Sequence, residues 1–168
     1  MELSPNEYAP YYAQYMELVK GEIGTELKLQ FRSFPALLLN IPKEKELYKY
    51  APDKWTIKEV IGHLIDTERI MAYRALSIAR LDKTSLPSFE EDEYVRNTNF
   101  NIREMDELIN DFEVMRISNI SLFNSLNKDE ILRIGVASGH DISVRALFQF
   151  MVGHTEHHAK VIKTKYLN

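Results

Sequence analysis

Hydrophobic residues recur at the three- or four-residue spacing of an amphipathic helix along most of this chain, in four long segments. These segments predict helices over residues 23–40, 56–80, 101–126 and 143–166. The tyrosine-rich residues 8–19 predict a shorter helix packed across them. Only residues 131–136 look like a strand, so the predicted fold class is all-α. The long connections predict a four-helix bundle with crossovers, in a single domain that spans residues 1–168.

Local signals mark where the predicted helices begin. Thr56 followed by Glu59 is the capping-box pattern, in which each side chain bonds the backbone N–H of the other residue. Asn101 with Glu104 repeats the pattern at the start of the third helix. Ser143 is a suitable cap for the fourth helix, since its hydroxyl can accept from a free backbone N–H.

Three histidines interrupt the apolar face of the fourth predicted helix, in the run Gly-His-Thr-Glu-His-His that ends at His158. At about 100° per residue, His158 lies about 40° and His157 about −60° from His154, in the same sector as the apolar side chains of that helix. Burial of this face would carry two or three imidazoles into the bundle, where polar groups need partners. Imidazoles one turn apart, such as His154 and His158, are well spaced to share a metal ion.

A fourth histidine, His63, lies on the flank of the apolar stripe of the second predicted helix. Its angle of about 110° from the centre of the stripe suits a ligand at the mouth of a cavity. Bundles commonly hold metals between facing helices, and a catalytic zinc-type site needs three protein ligands and one open position. His154 and His158 can supply two ligands and His63 the third. Helical spacing leaves His157 as an alternative ligand, and a hydrogen-bonded pair without metal as an alternative site.

Two more residues of the second helix are candidates for chemistry. Arg74, about three turns beyond His63, could bind the carboxylate or phosphate of a ligand. Glu68 lies near the middle of the apolar stripe, so it should be buried and paired with an arginine or with a histidine of the fourth helix. A buried carboxylate is a candidate general base or outer partner of a metal ligand. A structural ion pair is the open alternative for Glu68.

The composition excludes several classes of function. The net charge is −4, with cationic and anionic residues interspersed, so no basic stripe predicts nucleic acid or membrane as a partner. The absence of cysteine excludes disulfides, thiolate nucleophiles and cysteine-based zinc sites, so any thiol would come from a substrate or cofactor. Apolar runs are too short to span a bilayer. The N-terminus, with Glu2 and Glu7, lacks the order of a signal peptide, so a cytoplasmic location is expected.

Two blocks of the chain carry a family resemblance. Residues 55–69 read Trp-Thr-Ile-Lys-Glu-Val-Ile-Gly-His-Leu-Ile-Asp-Thr-Glu-Arg, and residues 153–158 read Gly-His-Thr-Glu-His-His. With the flanking Tyr-Ala-Pro-Asp-Lys and the later Ala-Ser-Gly-His, they resemble the DinB-like superfamily of metal-binding four-helix bundles. The resemblance implies a crossover bundle and a divalent metal, zinc or nickel, held by His63, His154 and His158 with water completing the site. It also implies a homodimer.

The resemblance implies reactions as well, since members include thiol S-transferases and isomerases that use low-molecular-weight bacterial thiols. The favoured function is therefore a metal-dependent S-transferase, with such a thiol as cosubstrate and a small electrophile as substrate. Arg74 would orient the carboxylate of the thiol. A metal-dependent hydrolase is a close alternative, because the same open site could generate a hydroxide nucleophile, with Glu68 as base.

Two other functions are weighed against these. The histidine run fits neither the H-E-x-x-H nor the H-x-x-E-H pattern, which disfavours a metalloprotease. A non-catalytic stress-response binding protein, with a structural metal or none, is the remaining alternative. Its interaction surface would consist of tyrosines near the N-terminus, which are enriched at interfaces: Tyr8, Tyr11, Tyr12 and Tyr15.

Overall fold

A computed structural model describes residues 3–168 and shows four long helices packed as a bundle. Its helices are α1 (Ala13–Met16), α2 (Ile23–Leu38), α3 (Ile57–Ala79), α4 (Glu91–Arg96), α5 (Met105–Ser125), α6 (Lys128–Ile131) and α7 (Val144–Val161). The strands are β1 (Ile134–Ala137) and β2 (His140–Ser143). Within the described residues, each helix is too short or too polar to cross a membrane. The expectation about a signal peptide rests in part on Glu2, which lies outside the described residues.

The four predicted long helices correspond to α2, α3, α5 and α7, which confirms the all-α prediction. The tyrosine-rich start does not form one helix, because 3-10 turns at Pro5–Glu7 and Pro10–Tyr12 precede the short α1. The connection before α7 forms an antiparallel hairpin, in which β1 overlaps the strand-like residues 131–136 and β2 was not predicted. Its turn has positive φ at Ser138 and Gly139, which matches the twist of a two-residue hairpin turn.

The first and second long helices of the chain, α2 and α3, lie diagonally across the bundle, and so do the third and fourth, α5 and α7. α2 packs against α5 and α7, and α3 packs against the same two helices, whereas α2 and α3 have little contact with each other. The connections from α2 to α3 and from α5 to α7 must therefore cross an end of the bundle, whereas α3 and α5 are neighbours. The predicted crossover arrangement is confirmed. α3 and α7, which carry the candidate histidines, form the most extensive helix pair.

The capping prediction holds at one helix start and fails at another. Thr56 caps α3 by the predicted box, with Glu59 N donating to Thr56 Oγ1 at 3.1 Å and Thr56 N donating to Glu59 Oε2 at 2.7 Å. The Asn101 prediction is wrong, because α5 begins after Glu104, which forms its own box with Glu107. Asn101 instead accepts from Thr56 Oγ1 at 2.6 Å and donates to Glu59 Oε1 at 2.8 Å. It therefore ties the preceding connection to the start of α3.

The core has two hydrophobic clusters with a layer of buried polar side chains between them. One cluster includes Leu27 and Met71, and the other includes Phe34 and Leu64. Along α2 and α3, the polar residues fall between these apolar positions, and α5 and α7 contribute polar residues as well. The members of this layer are Gln30, Glu68, Arg116, Asn119 and Thr155. The candidate histidines of α3 and α7 lie beside this layer in sequence.

Glu7 anchors the N-terminal segment to the start of α7. Its Oε2 accepts from Arg145 Nε at 2.6 Å and from Ser143 Oγ at 2.8 Å, and Arg145 Nη2 bonds the other carboxylate oxygen. Ser143 is also the N-cap of α7, accepting from Ala146 N at 3.1 Å, as predicted. The hydrogen bonds from Arg145 lower the pKa of Glu7 from 4.5 to about 2, against the opposing effect of burial.

Glu7→Gln is therefore expected to lower the free energy of unfolding by about 2–3 kcal/mol at pH 7, because charge-assisted bonds are lost. Since the folded state depresses the pKa of Glu7, this stabilisation is complete above pH 4.5 and disappears as the pH falls towards about 2. Urea unfolding at a series of pH values should show the two proteins converging in acid. Glu44→Gln, at an exposed position, should change stability by less than about 0.5 kcal/mol. A stability difference between the native protein and Glu7→Gln that stays constant at acidic pH would contradict the role of the charged Glu7 carboxylate.

Candidate metal centre

α3 and α7 bring three histidines together inside the bundle. His63 lies in the second turn of α3, and His154 and His158 lie one turn apart on α7. Nε2 of His154 is 3.1 Å from Nε2 of His63 and 3.1 Å from Nε2 of His158. One ring nitrogen from each residue lies within 4.8 Å of the other two. The three residues predicted as ligands therefore converge, and their ligand role stays a prediction.

This set of donors fits a divalent ion of the zinc or nickel class. A neutral imidazole has one N–H, so Nε2 of His154 cannot form a well-directed hydrogen bond with His63 and His158 at once. Lone pairs that surround a shared cation have no such conflict. Tetrahedral zinc binds imidazole nitrogen at about 2.0–2.1 Å, which places two ligand nitrogens about 3.4 Å apart. The observed separations of 3.1 Å are close to this value.

Burial keeps these imidazoles neutral. It lowers the pKa of His63 from 6.5 to about 4, although the negative charge of Asp92 opposes this effect. Burial also lowers the pKa of His154 and of His158 well below the usual value, and the neighbouring histidines add to the shift. At neutral pH each ring therefore has a nitrogen lone pair, and a metal ion need not displace a proton from it.

Neighbouring side chains orient the rings. Thr67 Oγ1 lies 3.5 Å from Nδ1 of His63, and a proton on Nδ1 would leave the lone pair on Nε2, facing the cluster. This imidazole also contacts the Trp55 ring, with centroids 4.6 Å apart. His154 stacks on Phe150 at 5.0 Å with an interplanar angle of 17°. These contacts hold the two rings before any ligand binds.

The remaining histidines of the chain lie outside the cluster. His157 is half-buried, and its ring contacts those of Tyr15 and His158 at 5.3 and 5.0 Å. His140 is exposed at the start of β2. Helical spacing left His157 as an alternative ligand, and the observed grouping favours the pair of His154 and His158.

Glu68 belongs to a buried network that joins the four long helices. Its Oε2 accepts from Arg116 Nη2 at 2.7 Å, and its Oε1 accepts from Asn119 Nδ2 at 3.0 Å. Arg116 also donates to Gln30 Oε1 and Thr155 Oγ1, both at 2.9 Å. The structure thus shows the ion pair that the sequence left as an alternative to catalysis. The role of Glu68 as a general base stays a prediction.

Two cavities flank the histidine cluster. The first, of about 340 Å³, is lined by His63 and His154 together with Arg74 and several aromatic rings. The second, of about 480 Å³, has a more polar lining that includes His157 and His158. Glu91, the first residue of α4, lines both cavities. The cluster is therefore open to small molecules from two sides.

Arg74 lies in the wall of the first cavity, on the same helix as His63. Its Nη2 donates to the backbone oxygen of Pro87 at 2.6 Å and to Ser138 Oγ at 3.1 Å. These bonds hold the 81–99 connection and the hairpin turn against α3. Arg74 thus lines the same cavity as His63 and His154, and its binding of an anionic group stays a prediction.

Sequence reasoning missed several residues around the site. The N-terminal tyrosines were considered for an interaction surface only under the non-catalytic alternative, but Tyr12 is buried and the Tyr15 ring lies 5.3 Å from that of His154. Glu91 was an unremarked member of an acidic stretch. Ser138 is 64 positions beyond Arg74, and no local pattern in the sequence indicated that the two side chains meet.

Comparison with known proteins identifies a family model and solved structures that are similar to this chain. The family model described as the DinB superfamily matches residues 26–162. YfiT from Bacillus subtilis, a probable metal-dependent hydrolase with an unusual four-helix bundle topology, has a TM-score of 0.69 at 13% identity. That match covers 97% of this chain and 90% of YfiT, and at this identity it establishes the fold alone.

A second solved structure has the same bundle. The mycothiol-dependent maleylpyruvate isomerase matches with a TM-score of 0.69 at 13% identity, over 88% of this chain. The match covers 62% of the isomerase, so this chain spans less than two thirds of that protein. No curated protein matches the sequence significantly. Because the family model covers most of the chain, together with both histidine blocks, the chain belongs to the DinB superfamily.

Proposed function

We propose that this protein is a divalent-metal-dependent enzyme in which His63, His154 and His158 bind the metal through Nε2. The observation that supports the proposal most directly is the convergence of three neutral imidazoles at a point open to two cavities. Among the described residues, the group of possible ligands contains these three histidines and no carboxylate. Three protein ligands with room for another are typical of catalytic rather than structural sites.

The favoured reaction is thiol-dependent transfer to a small electrophile. A divalent metal at the site would lower the pKa of a bound thiol and supply a thiolate at neutral pH. Two cavities that meet at one cluster can accommodate two substrates, as a transfer reaction requires. The chain itself has no cysteine, so the thiol must come from a small molecule. The likeness to a mycothiol-dependent isomerase agrees with a thiol cosubstrate.

The second candidate is a metal-dependent hydrolase, and one feature of the cavities favours it. Glu91 is an exposed residue that lines both cavities, and partial desolvation of its carboxyl group together with the neighbouring Asp92 and Glu90 raises its pKa. A carboxylate with a raised pKa is a better proton acceptor for a nucleophilic water. The likeness to YfiT, a probable metal-dependent hydrolase, agrees with this reading.

Several narrower expectations remain predictions. They are zinc or nickel as the ion, a cytoplasmic location, a single domain, a role in the stress response, a homodimer, and the absence of nucleic-acid and membrane partners. Size-exclusion chromatography with light scattering tests the assembly, and elemental analysis of the purified protein identifies the ion.

A two-substrate assay tests the proposed reaction. Zinc- or nickel-loaded protein is incubated with glutathione, cysteine or a bacterial sugar thiol, with 1-chloro-2,4-dinitrobenzene as a chromogenic electrophile. We expect conjugation that needs metal, falls to background after treatment with a chelator, and returns when metal is restored. The same preparations are tested against 4-nitrophenyl acetate without thiol.

The outcomes separate the candidate functions. Metal-dependent conjugation supports the transferase. Ester hydrolysis without conjugation would replace it with the hydrolase. Stoichiometric metal with neither activity would support a non-catalytic role, and purified protein that neither contains nor binds metal would overturn both enzyme proposals.

A further inference from the structure

Arg74 is a buried cation without an anionic partner. Only 2% of the surface of Arg74 is exposed to solvent. Among the described residues, no carboxylate lies within ion-pair distance of its guanidinium. Its contacts are neutral: the backbone oxygen of Pro87, Ser138 Oγ, the Tyr12 hydroxyl, and Met71 Sδ at 3.7 Å from Nη1. The guanidinium also lies 5.8 Å from the centre of the Phe89 ring. A buried charge is costly unless an opposite charge compensates it.

The compensating charge does not come from the acidic residue in the same cavity. Glu91 also lines this cavity, but its pKa is raised by partial desolvation and by the negative charges of Asp92 and Glu90. A close Arg74 guanidinium would have the opposite effect on that carboxyl group. The cavity wall therefore has one permanent positive charge that the protein leaves unpaired.

The side chains around Arg74 fix its position. Ser138, whose hydroxyl accepts from Nη2, has a φ of 53° in the hairpin turn. Left-handed backbone is unfavourable for a non-glycine residue, and asparagine, aspartate and glycine are the usual residues here. The bonds to Ser138 and Pro87 occupy both hydrogens of Nη2, and the Tyr12 hydroxyl is a further polar neighbour of the guanidinium.

We propose that Arg74 binds the carboxylate of a small organic acid in the first cavity. The apolar body of this acid would lie against the rings of Tyr12 and Phe150, whose centroids are 4.7 Å apart. The same cavity wall contains His63 and His154, so the other end of the acid would face the proposed metal. This last step rests on the proposed function, whereas the anion site itself does not.

The geometry favours a carboxylate over a phosphate. Arg74 is the only lysine or arginine among the residues that line this cavity, and its Nη2 is already occupied. A phosphate brings up to two negative charges and three acceptor oxygens, which usually require several donors. The carboxylate of Glu91 in the same wall would also repel a dianion more strongly than a monoanion. A cavity of about 340 Å³ holds a molecule of about the size of benzoate with room to spare.

Titrations of metal-free protein test the anion site without any catalytic step. Binding of benzoate, neutral benzamide and phenylphosphonate is followed by changes in amide and arginine side-chain NMR signals. We expect benzamide to bind at least tenfold more weakly than benzoate, and Arg74→Met to weaken benzoate binding at least tenfold. Arg69→Met is the matched control, since Arg69 is on the same helix, pairs with Asp66 and lies outside this cavity, and it should bind benzoate normally.

Each result bears on the proposal. Equal binding of benzoate and benzamide, or full benzoate binding by Arg74→Met, would overturn it. Tighter binding of phenylphosphonate through Arg74 would overturn the choice of carboxylate. Arg74→Lys, which keeps the charge, should retain the preference for benzoate, so a Met variant that fails to fold leaves the test intact. Benzoate binding by a protein that binds no metal would support the anion site and overturn the proposed function.

Discussion

His154→Ala is expected to abolish stoichiometric binding of zinc or nickel while the helical fold remains. Nε2 of His154 is the central atom of the cluster, 3.1 Å from Nε2 of both His63 and His158. Its removal leaves two nitrogens from different helices. Affinity should fall by more than about 100-fold, because changes to residues that only support metal ligands already cost 10–100-fold. Competition with a chromophoric chelator measures the affinity.

The neighbouring histidine provides the control. His157 is on the same helix and close to the cluster, but its ring packs against Tyr15. His157→Ala should therefore bind metal with nearly unchanged affinity, whereas His158→Ala should reproduce the loss. Unchanged affinity in His154→Ala, or a loss confined to His157→Ala, would show that the ligands are assigned incorrectly.

The same variants distinguish a catalytic from a structural metal. Both hydrophobic clusters of the core bury many apolar side chains from all four long helices, so the bundle should stay folded without metal. Bound metal should raise the Tm of the native protein by mass action and leave that of His154→Ala unchanged. If His154→Ala or a chelator abolishes the helical circular dichroism, the ion is structural and the non-catalytic alternative gains support.

The candidate site was predictable to the extent that its parts follow helical geometry. His154 and His158 are one turn apart, and the capping box at Thr56 sets where α3 begins. His63 therefore had a definite angular position, and the structure shows it lining a cavity, as that angle suggested. Local rules are sufficient for such features, because residues within one helix have fixed relative positions.

Local rules could not predict hydrogen-bond partners that come from distant parts of the chain. Glu68 was expected to be buried and paired, but its partner Arg116 is 48 positions away on a different helix. Ser138 meets Arg74 across 64 positions, through a hairpin that helical patterning does not predict. The Asn101 prediction failed for the same reason, because its side chain bonds the cap of another helix instead of its own. Such pairings depend on the crossover topology, which brings distant segments together.

Arg116→Met is expected to lower the free energy of unfolding by about 3–5 kcal/mol, the typical effect of removing one partner from a buried ion pair. Arg116 is fully buried, and its Nη2 lies 2.7 Å from Glu68 Oε2. The substitution would leave the Glu68 carboxylate buried with Asn119 as its remaining partner. Because domains are commonly stable by about 5–15 kcal/mol, a folded baseline should persist. Urea unfolding should show a lower midpoint with an unchanged slope.

An exposed pair of the same length is the control for this prediction. Arg80 and Glu130 are also 2.7 Å apart, but the Arg80 side chain is 52% exposed, so Arg80→Met should cost less than about 1 kcal/mol. An equal cost for the two substitutions would show that burial of Arg116 adds nothing. A double variant with Glu68→Leu should regain most of the lost stability, because no lone charge remains. Zinc affinity can be measured in the same variants. If both Arg116→Met and the double variant bind zinc more weakly than the native protein, Arg116 also positions the histidines, through its bond to Thr155 beside His154.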